Sequence, residues 1–471
     1  MFKSTLLDQK LTDLCVNLRL SGVCASIRSG AVNYDFSYGI RNQDGTKTDP
    51  DTMFGIASMS KSITALCACL LNLEGKLSLD DPVCKYIPKF QVKGEPKEAI
   101  TIRHLCMHTA GIPPMEPLEW SSAMNTEGRN DPETLELRKT APNRMETIEQ
   151  ILEYIAECPY PNTGMPGQNY SYSNEGFAVL SYVIDKAAGI PLEQFMQEKI
   201  FTPLGMNRTI LDNGVEASRA LSKGNLTSLF TRDGENILCD ESWSILPPYR
   251  GCAMVKSTAP DMATYYCALS NYGQLNGQQV FPREAIELLL GKYHPLSTLQ
   301  TMCMGINKRK FHDHIICEHS GGLHGVSSKG GLLLGENAGF CILCNQGGED
   351  VDDLLYTMYN AFIDLPLEAS HEWFHPVSYL FSDIQMLSGS YCCHEGLPTI
   401  LKIEVQNKNI LGLKDDTLLH FLYCGGTRFI ALDSDEHLYS RVEFLIENEK
   451  AWGVRCGTRI FHRVIHNDAS Y

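Results

Sequence analysis

Three short stretches of this 471-residue sequence carry reactive side chains at spacings that can serve one reaction. In Ser58-Met59-Ser60-Lys61 a hydroxyl and an amine stand three residues apart. On a helix that is one turn, so the amine reaches the hydroxyl. A helix start also supplies free N–H groups and positive potential where an alkoxide or oxyanion forms. The same tetrapeptide reads equally as a helix-capping serine followed by a solvated lysine, and chance supplies about one Ser-x-x-Lys in such a chain. Tyr172-Ser173-Asn174 follows the turn-forming pair Pro166-Gly167. In an extended loop its phenol and carboxamide face one way, a proton shuttle beside a hydrogen-bond donor for a substrate carbonyl. A polar helix-capping loop is the structural alternative. His319-Ser320-Gly321-Gly322 ends the strand-like run 314–318, where small residues let a substrate approach the backbone and an edge strand offers its N–H and C=O groups.

These stretches need elements to hold them. Leu7, Leu11, Leu14 and Leu18 predict an amphipathic helix over 6–20, followed by a hairpin, 22–27 and 32–38, around Ser29-Gly30. A strongly apolar helix is expected over 60–73, closed by Gly75, with further helices at 147–158 and 175–188, the last closed by Gly189. Residues 113–142 lose any clear period and read as a long polar loop or insertion, a lid in many domains. Trp120 within it could cap the substrate pocket or pin the loop to the surface. Short buried strands follow at 315–317, 331–334 and 340–343. A Pro-containing connector over 364–378 then leads to strand-like runs at 401–405, 428–432 and 441–446. The expected domains are 1–370 and a small β domain over 379–471, in which no residue carries a chemical signature.

In this order the three stretches resemble the signatures of the serine β-lactamase and penicillin-binding-protein superfamily, in its class C branch with esterase and D-aminopeptidase relatives. The likeness extends to Phe54-Gly55-Ile56-Ala57, Leu77-Ser78-Leu79-Asp80-Asp81-Pro82, Ile102-Arg103-His104-Leu105 with His108-Thr109-Ala110-Gly111, Pro203-Leu204-Gly205-Met206, and Ser257-Thr258-Ala259 with Asp261. It spans roughly residues 20–350. The resemblance implies an α/β (α+β) fold: an antiparallel sheet flanked by helices with an interleaved helical region, here followed by a small barrel-like β domain. It also implies Ser58 as nucleophile of an acyl-enzyme, with Lys61 beside it and Tyr172 exchanging protons. Either Lys61 or Tyr172 serves as base. Asn174 maps onto the substrate-amide contact, the N–H groups of Ser58 and Gly322 onto the oxyanion hole, and His319, Ser320, Gly321 and Gly322 onto the substrate-binding strand. No metal or organic cofactor is implied.

The sequence departs from the pattern at His319, where β-lactamases and transpeptidases usually carry lysine. A mostly neutral histidine anchors a carboxylate weakly, which favours the esterase and D-amidase relatives. Lys329-Gly330-Gly331 is a nearby competitor for this role, although it opens the next strand. Arg250, in Tyr249-Arg250-Gly251-Cys252, could supply the missing cation to a substrate carboxylate or form a surface salt bridge. His312, His314, Cys317 and His319 invite a zinc reading, but alternation puts Cys317 on the other face of a strand. His104 and His108 are assigned to packing and turn hydrogen bonds.

Composition bounds the rest. A formal charge of −16, without blocks of Lys or Arg, argues against nucleic acid and membrane-surface partners. No run reaches the roughly 18 apolar residues of a spanning helix. The N-terminus shows no apolar signal region, so the eighteen cysteines, including Cys67/Cys69, Cys341/Cys344 and Cys392/Cys393, are expected as reduced thiols in a cytoplasmic protein. The expected function is a serine hydrolase acting on a small amide, short peptide or ester. A non-catalytic ligand sensor and a weak β-lactamase or DD-peptidase are the alternatives, and oligomeric state is left open.

Overall fold

The computed structural model describes residues 4–464 apart from 127, 213, 215–218, 220–223, 235, 292–293, 297–299, 379–383 and 407–408. The expected boundary at 379 falls outside the described residues. At the centre lies an eight-stranded antiparallel sheet. In chain order its strands are β1 Gly22–Ser29, β2 Asn33–Gly39, β3 His294–Pro295, β4 Gln300–Met302, β5 Asn307–Phe311, β6 His314–Leu323, β7 Val326–Leu333 and β8 Ala338–Cys344. They run across the sheet as β3-β4-β5-β6-β7-β8-β1-β2. The N-terminal hairpin is thus annexed to the far strand, with Ala25 opposite Ile342.

Strands β7 and β8 are buried throughout, because helices cover both faces. On one face, helices Ser4–Asn17 and Asp352–Phe362 contribute Leu7, Leu11, Leu354 and Met358 to a shared core with Ile27 and Ile342. On the other lie Ser60–Leu73 and Ala259–Ser270 with Met59, Ile63, Leu66 and Tyr266. A methyl at Gly339 would stand 2.2 Å from both Ala263 O and Cys267 N, so the bare backbone lets that helix rest directly on the sheet. The helix Ser60–Leu73 is buried almost all round and must satisfy its hydroxyls internally. Ser60 Oγ donates to Ala57 O at 2.7 Å, Ser62 Oγ to Met59 O at 3.0 Å and Thr64 Oγ1 to Gly251 O at 2.5 Å.

The predicted helices form at Ile148–Glu157, capped by Thr147, and at Asn174–Ala188, ended by the left-handed Gly189. The stretch 113–142 is not the long polar loop expected. It holds two helices, Pro117–Asn125 and Pro132–Thr140, each opening on a proline at its first turn. Proline at that position starts a helix because its missing N–H would have no partner there. Trp120 is buried, donates from Nε1 to Thr140 Oγ1 at 3.1 Å and meets Tyr154 edge-on at 5.3 Å between centroids, pinning the two helices to the core.

Eight further strands close a C-terminal barrel: β9 Gly389–Cys393, β10 Thr399–Gln406, β11 Asn409–Lys414, β12 Thr417–Tyr423, β13 Arg428–Leu432, β14 Leu438–Glu447, β15 Lys450–Cys456 and β16 Arg459–Arg463. Closure joins β9 to β16, with Tyr391 opposite Arg463. Inward alternation of Leu401, Ile403, Leu419, Phe429, Val442 and Phe444 fills its interior. All eighteen cysteines are free thiols. Among the described residues no helix is long and apolar enough to cross a membrane.

Candidate active site

Ser58 sits in a 3-10 turn, Ala57–Met59, leading directly into the helix Ser60–Leu73. The preceding Phe54–Gly55 pairs with Val255–Ser257, and Ile56 N donates to Val255 O at 3.0 Å, which fixes the approach of the chain. Ala57 then takes φ +45°, a left-handed conformation that costs a side-chain-bearing residue about 1–3 kcal/mol. That sharp reversal presents Ser58, partly accessible, from a buried turn.

Lys61 is fully buried one turn on, and its Nζ donates to Ser58 Oγ at 3.0 Å and to the Cys252 carbonyl at 3.2 Å. It also lies 4.8 Å from the centre of the Tyr172 ring and 5.8 Å from that of Phe177. Burial acts to discharge this amine, but the Cys252 thiol and the Tyr172 phenol facing it outweigh burial and hold the ammonium above its ordinary value. The Ser-x-x-Lys pair is therefore no solvated surface motif.

Ser173 caps the helix Asn174–Ala188, its Oγ accepting from Gly176 N at 3.0 Å, so Asn174 begins the helix rather than lying in an extended loop. Tyr172 and Asn174 still face the same site. Asn174 Oδ1 accepts from the Cys252 thiol at 3.2 Å; burial pushes that thiol up, while Lys61 beside it acts the other way. His108, assigned from sequence to packing, proves to be part of the site wall. It adopts φ +55°, stacks on Tyr172 with centroids 4.2 Å apart, and accepts from Ser173 N at Nδ1 over 3.1 Å. Burial, with Lys61, His319 and Arg459 adding to it, holds its pKa well below the ordinary value, so the ring is neutral with its proton on Nε2. His104 makes the expected turn contacts, closing a capping box with Thr101.

His319-Ser320-Gly321-Gly322 lies on β6 beside the nucleophile turn. A methyl on Gly321 would stand 2.3 Å from Ile56 O and 3.0 Å from Ser58 N, so the strand backbone runs hard against the turn that carries Ser58. Ser328 Oγ, from β7, locks the two together by donating to Ile56 O at 2.9 Å. Gly322 has open space on the side where a methyl would point. His319 lies 6.0 Å from Tyr172 between ring centroids, and burial reinforced by Lys61 pushes it down to about 4. It contributes no charge at neutral pH.

Two other candidates are accounted for elsewhere. Arg250 is paired with Asp185 and, at 3.4 Å, with Glu193, and it lies over the Tyr182 ring at 4.5 Å. Asp185 lies three turns along the Asn174–Ala188 helix from Asn174 and Glu193 on the next helix, Leu192–Met196, so the cation sought for the pocket is neutralised there. Lys329 pairs with Asp352 at 2.6 Å and the Tyr356 hydroxyl at 2.9 Å. The histidines of the zinc reading separate: His314 bonds Glu336, while Cys317 is buried in the core. Among the described residues no group of three His, Cys, Asp or Glu gathers as a metal cage.

The C-terminal barrel, expected to carry no chemical signature, reaches the site. Tyr172 N donates to Thr458 O at 2.9 Å and Ile460 N to Ser171 Oγ at 3.4 Å. Arg459 stacks its guanidinium over the Tyr172 ring at 4.2 Å and forms a bidentate pair with Glu395, both bonds at 2.5 Å. Glu395 Oε1 in turn accepts from Asn174 Nδ2 at 3.0 Å. His394 stacks flat on Tyr160 with centroids 3.8 Å apart, seating this barrel loop. A cavity of about 340 Å³ opens beside His319 and Ser320 between sheet and barrel, walled by Tyr170, Lys329, Arg455 and Thr458. That is the small end of ligand-pocket volumes.

Known proteins agree with the resemblance drawn from the motifs. Esterase EstB from Burkholderia gladioli is 30% identical over 194 residues, 40% of this chain and 46% of that one. A beta-lactamase of Pseudomonas fluorescens is 25% identical over 188 residues, 40% and 44% of the two chains. The chain thus spans less than half the length of these curated relatives. The octameric penicillin-binding protein homologue from Pyrococcus abyssi superposes with a TM-score of 0.67 at 20% identity, covering 97% of this chain and 99% of that one, which shows the fold, barrel included. The Beta-lactamase family model matches residues 10–363, and the chain belongs to that family.

Proposed function

We propose that this protein is a serine hydrolase that works through an acyl-enzyme on Ser58, on a small amide, short peptide or ester. The observation that carries this reading is the buried Lys61 amine, 3.0 Å from Ser58 Oγ and 4.8 Å from the centre of the Tyr172 ring. A binding module has no use for a desolvated amine held against a serine, whereas a nucleophile needs a neighbour to take its proton. Lys61 and Tyr172 act as one coupled pair whose reactive form holds one proton fewer than ammonium plus phenol: the Ser58 proton fills that vacancy as Oγ attacks the carbonyl, and leaves it for the departing amine or alcohol. The N–H groups of Ser58 and Gly322 then hold the oxyanion, which Gly321 permits by letting β6 lie against the Ser58 turn. Water enters where the leaving group departed, the same pair takes its proton, and Ser58 is released.

With a neutral His319 the strand offers hydrogen bonds rather than charge, which supports esterase and amidase chemistry over dedicated β-lactam hydrolysis. The test is intact-protein mass spectrometry with a serine-reactive phosphonate. One adduct is expected in the native chain and none in Ser58→Ala. An unlabelled native protein, or an equally labelled Ser58→Ala, refutes the proposal.

A further inference from the structure

The amide that should receive substrate is already engaged. Asn174 Oδ1 takes the Cys252 thiol, and Asn174 Nδ2 donates to a carboxylate oxygen of Glu395. That carboxylate is held by two nitrogens, Nε and Nη2, of the Arg459 guanidinium, which itself covers the Tyr172 ring. The contacts around Glu395 therefore form a carboxylate receptor, a planar bidentate cation and a carboxamide donor, set against the Tyr172 ring. Arg459 and Glu395 keep 18% and 24% of their side chains exposed and together line a surface cavity of the barrel with Cys393, Lys414 and Tyr439. Of the other cations of the region, Arg250 pairs with Asp185, Lys329 with Asp352 and Arg455 with Glu443.

Resting on the proposed hydrolase reading, we infer that Arg459 and Glu395, both supplied by the barrel, set the substrate class: a free carboxylate on the substrate displaces Glu395 and takes its place between Arg459 and Asn174. Glu395 is then an internal stand-in for the substrate. It keeps Arg459 aligned and paired while the site is empty, and its displacement admits molecules that restore the same bonds. Neutral substrates must leave the pair intact or break it without compensation.

The experiment measures kcat/KM of the full chain on two matched pairs. One pair is a p-nitrophenyl ester of glutaric acid with its second carboxyl free or methylated. The other is a dipeptide with a free C-terminal carboxylate or a carboxamide. Preference for the free acid is expected in at least one pair. Loss of a charge-assisted contact in Arg459→Gln should cut that preference by about tenfold to a hundredfold. Glu395→Gln, which keeps the size and a hydrogen-bonding group but weakens the internal competitor, should raise it, mainly through a lower KM for the acid. A native protein that treats acid and neutral partners alike overturns the inference, as does a preference that survives Arg459→Gln or fails to rise in Glu395→Gln. Should Arg459→Gln not fold, the Glu395→Gln ratio decides alone. Phosphonate labelling of Ser58 separates the two readings: labelling with a flat acid-to-neutral ratio sinks only the carboxylate inference, whereas absent labelling sinks the hydrolase itself.

Discussion

Gly321→Ala is the substitution that most directly probes how the fold positions its nucleophile. The added methyl would stand 2.3 Å from Ile56 O, 2.5 Å from Ser328 Oγ and 3.0 Å from Ser58 N. Carbon and oxygen tolerate an approach of about 3.3 Å, so β6 and the turn before Ser58 must part by about 1 Å. Ser328 can rotate, but the Ile56 carbonyl cannot retreat freely: it belongs to the residue before Ala57, whose φ of +45° is already strained, and Met59 N donates to it at 3.2 Å. Overpacking of this kind costs about 1–3 kcal/mol of stability. The larger effect falls on activity, since a misplacement of about 1 Å between reacting groups can cost on the order of 100-fold. The rate of Ser58 phosphonylation and kcat/KM on a p-nitrophenyl ester read this directly, with Gly322→Ala as the companion because its methyl enters open space and should lose far less. A Gly321→Ala protein that phosphonylates at the native rate would refute the argument that β6 and the nucleophile turn are held in register by contact.

Two further outcomes are expected. Burial, with Glu395 adding to it, pushes the carboxyl of Glu175 up to about 7 in the fold from an ordinary 4.5. The folded chain therefore holds this proton more tightly than the unfolded one: the stabilisation is full below about pH 4.5 and is lost as pH rises through 7, by about 3 kcal/mol at completion. Urea denaturation from pH 5 to 8 should show that decline in the native protein and a flatter profile in Glu175→Gln; parallel profiles would count against it. Trp120→Ala should lower stability by about 3–5 kcal/mol, as loss of a buried aromatic does, without changing KM. A tenfold rise in KM with little loss of stability would return Trp120 to the substrate pocket.

What the sequence disclosed was local. Ser58 and Lys61 are one helical turn apart, and the apolar run that follows has its limits written in it, so the helix Ser60–Leu73 and the contact between the two side chains were legible together. The helices at Pro117–Asn125 and Pro132–Thr140 were not, because each is nine residues long, too short for a period to emerge, and their initiating prolines look like breakers. His108 was undervalued for a different reason. Its role depends on φ +55° and on Tyr172, 64 positions away, rather than on any spacing near it. Strand alternation at the barrel was visible in three of its eight strands, but the loops joining strands carry no period at all.

The loop before β10 and the first residue of β16 bring Glu395 and Arg459 to Asn174 and Tyr172. Glu395 is separated from Asn174 by 221 positions and from Arg459 by 64, and no spacing rule connects them. The sequence did pose the question they answer, since a histidine where lysine is expected leaves that strand position without a cation. Buried and pushed down to about 4, His319 cannot fill that gap at neutral pH, and Lys61 is committed to Ser58 and the Cys252 carbonyl. Arg459 can, and it reaches the site only because β15 and β16 turn at Gly457-Thr458 directly over Tyr172. The overall charge of −16 is therefore a poor guide to what the site attracts. One guanidinium and one carboxylate reach Tyr172 and Asn174, and both come from the barrel that sequence alone left without a role.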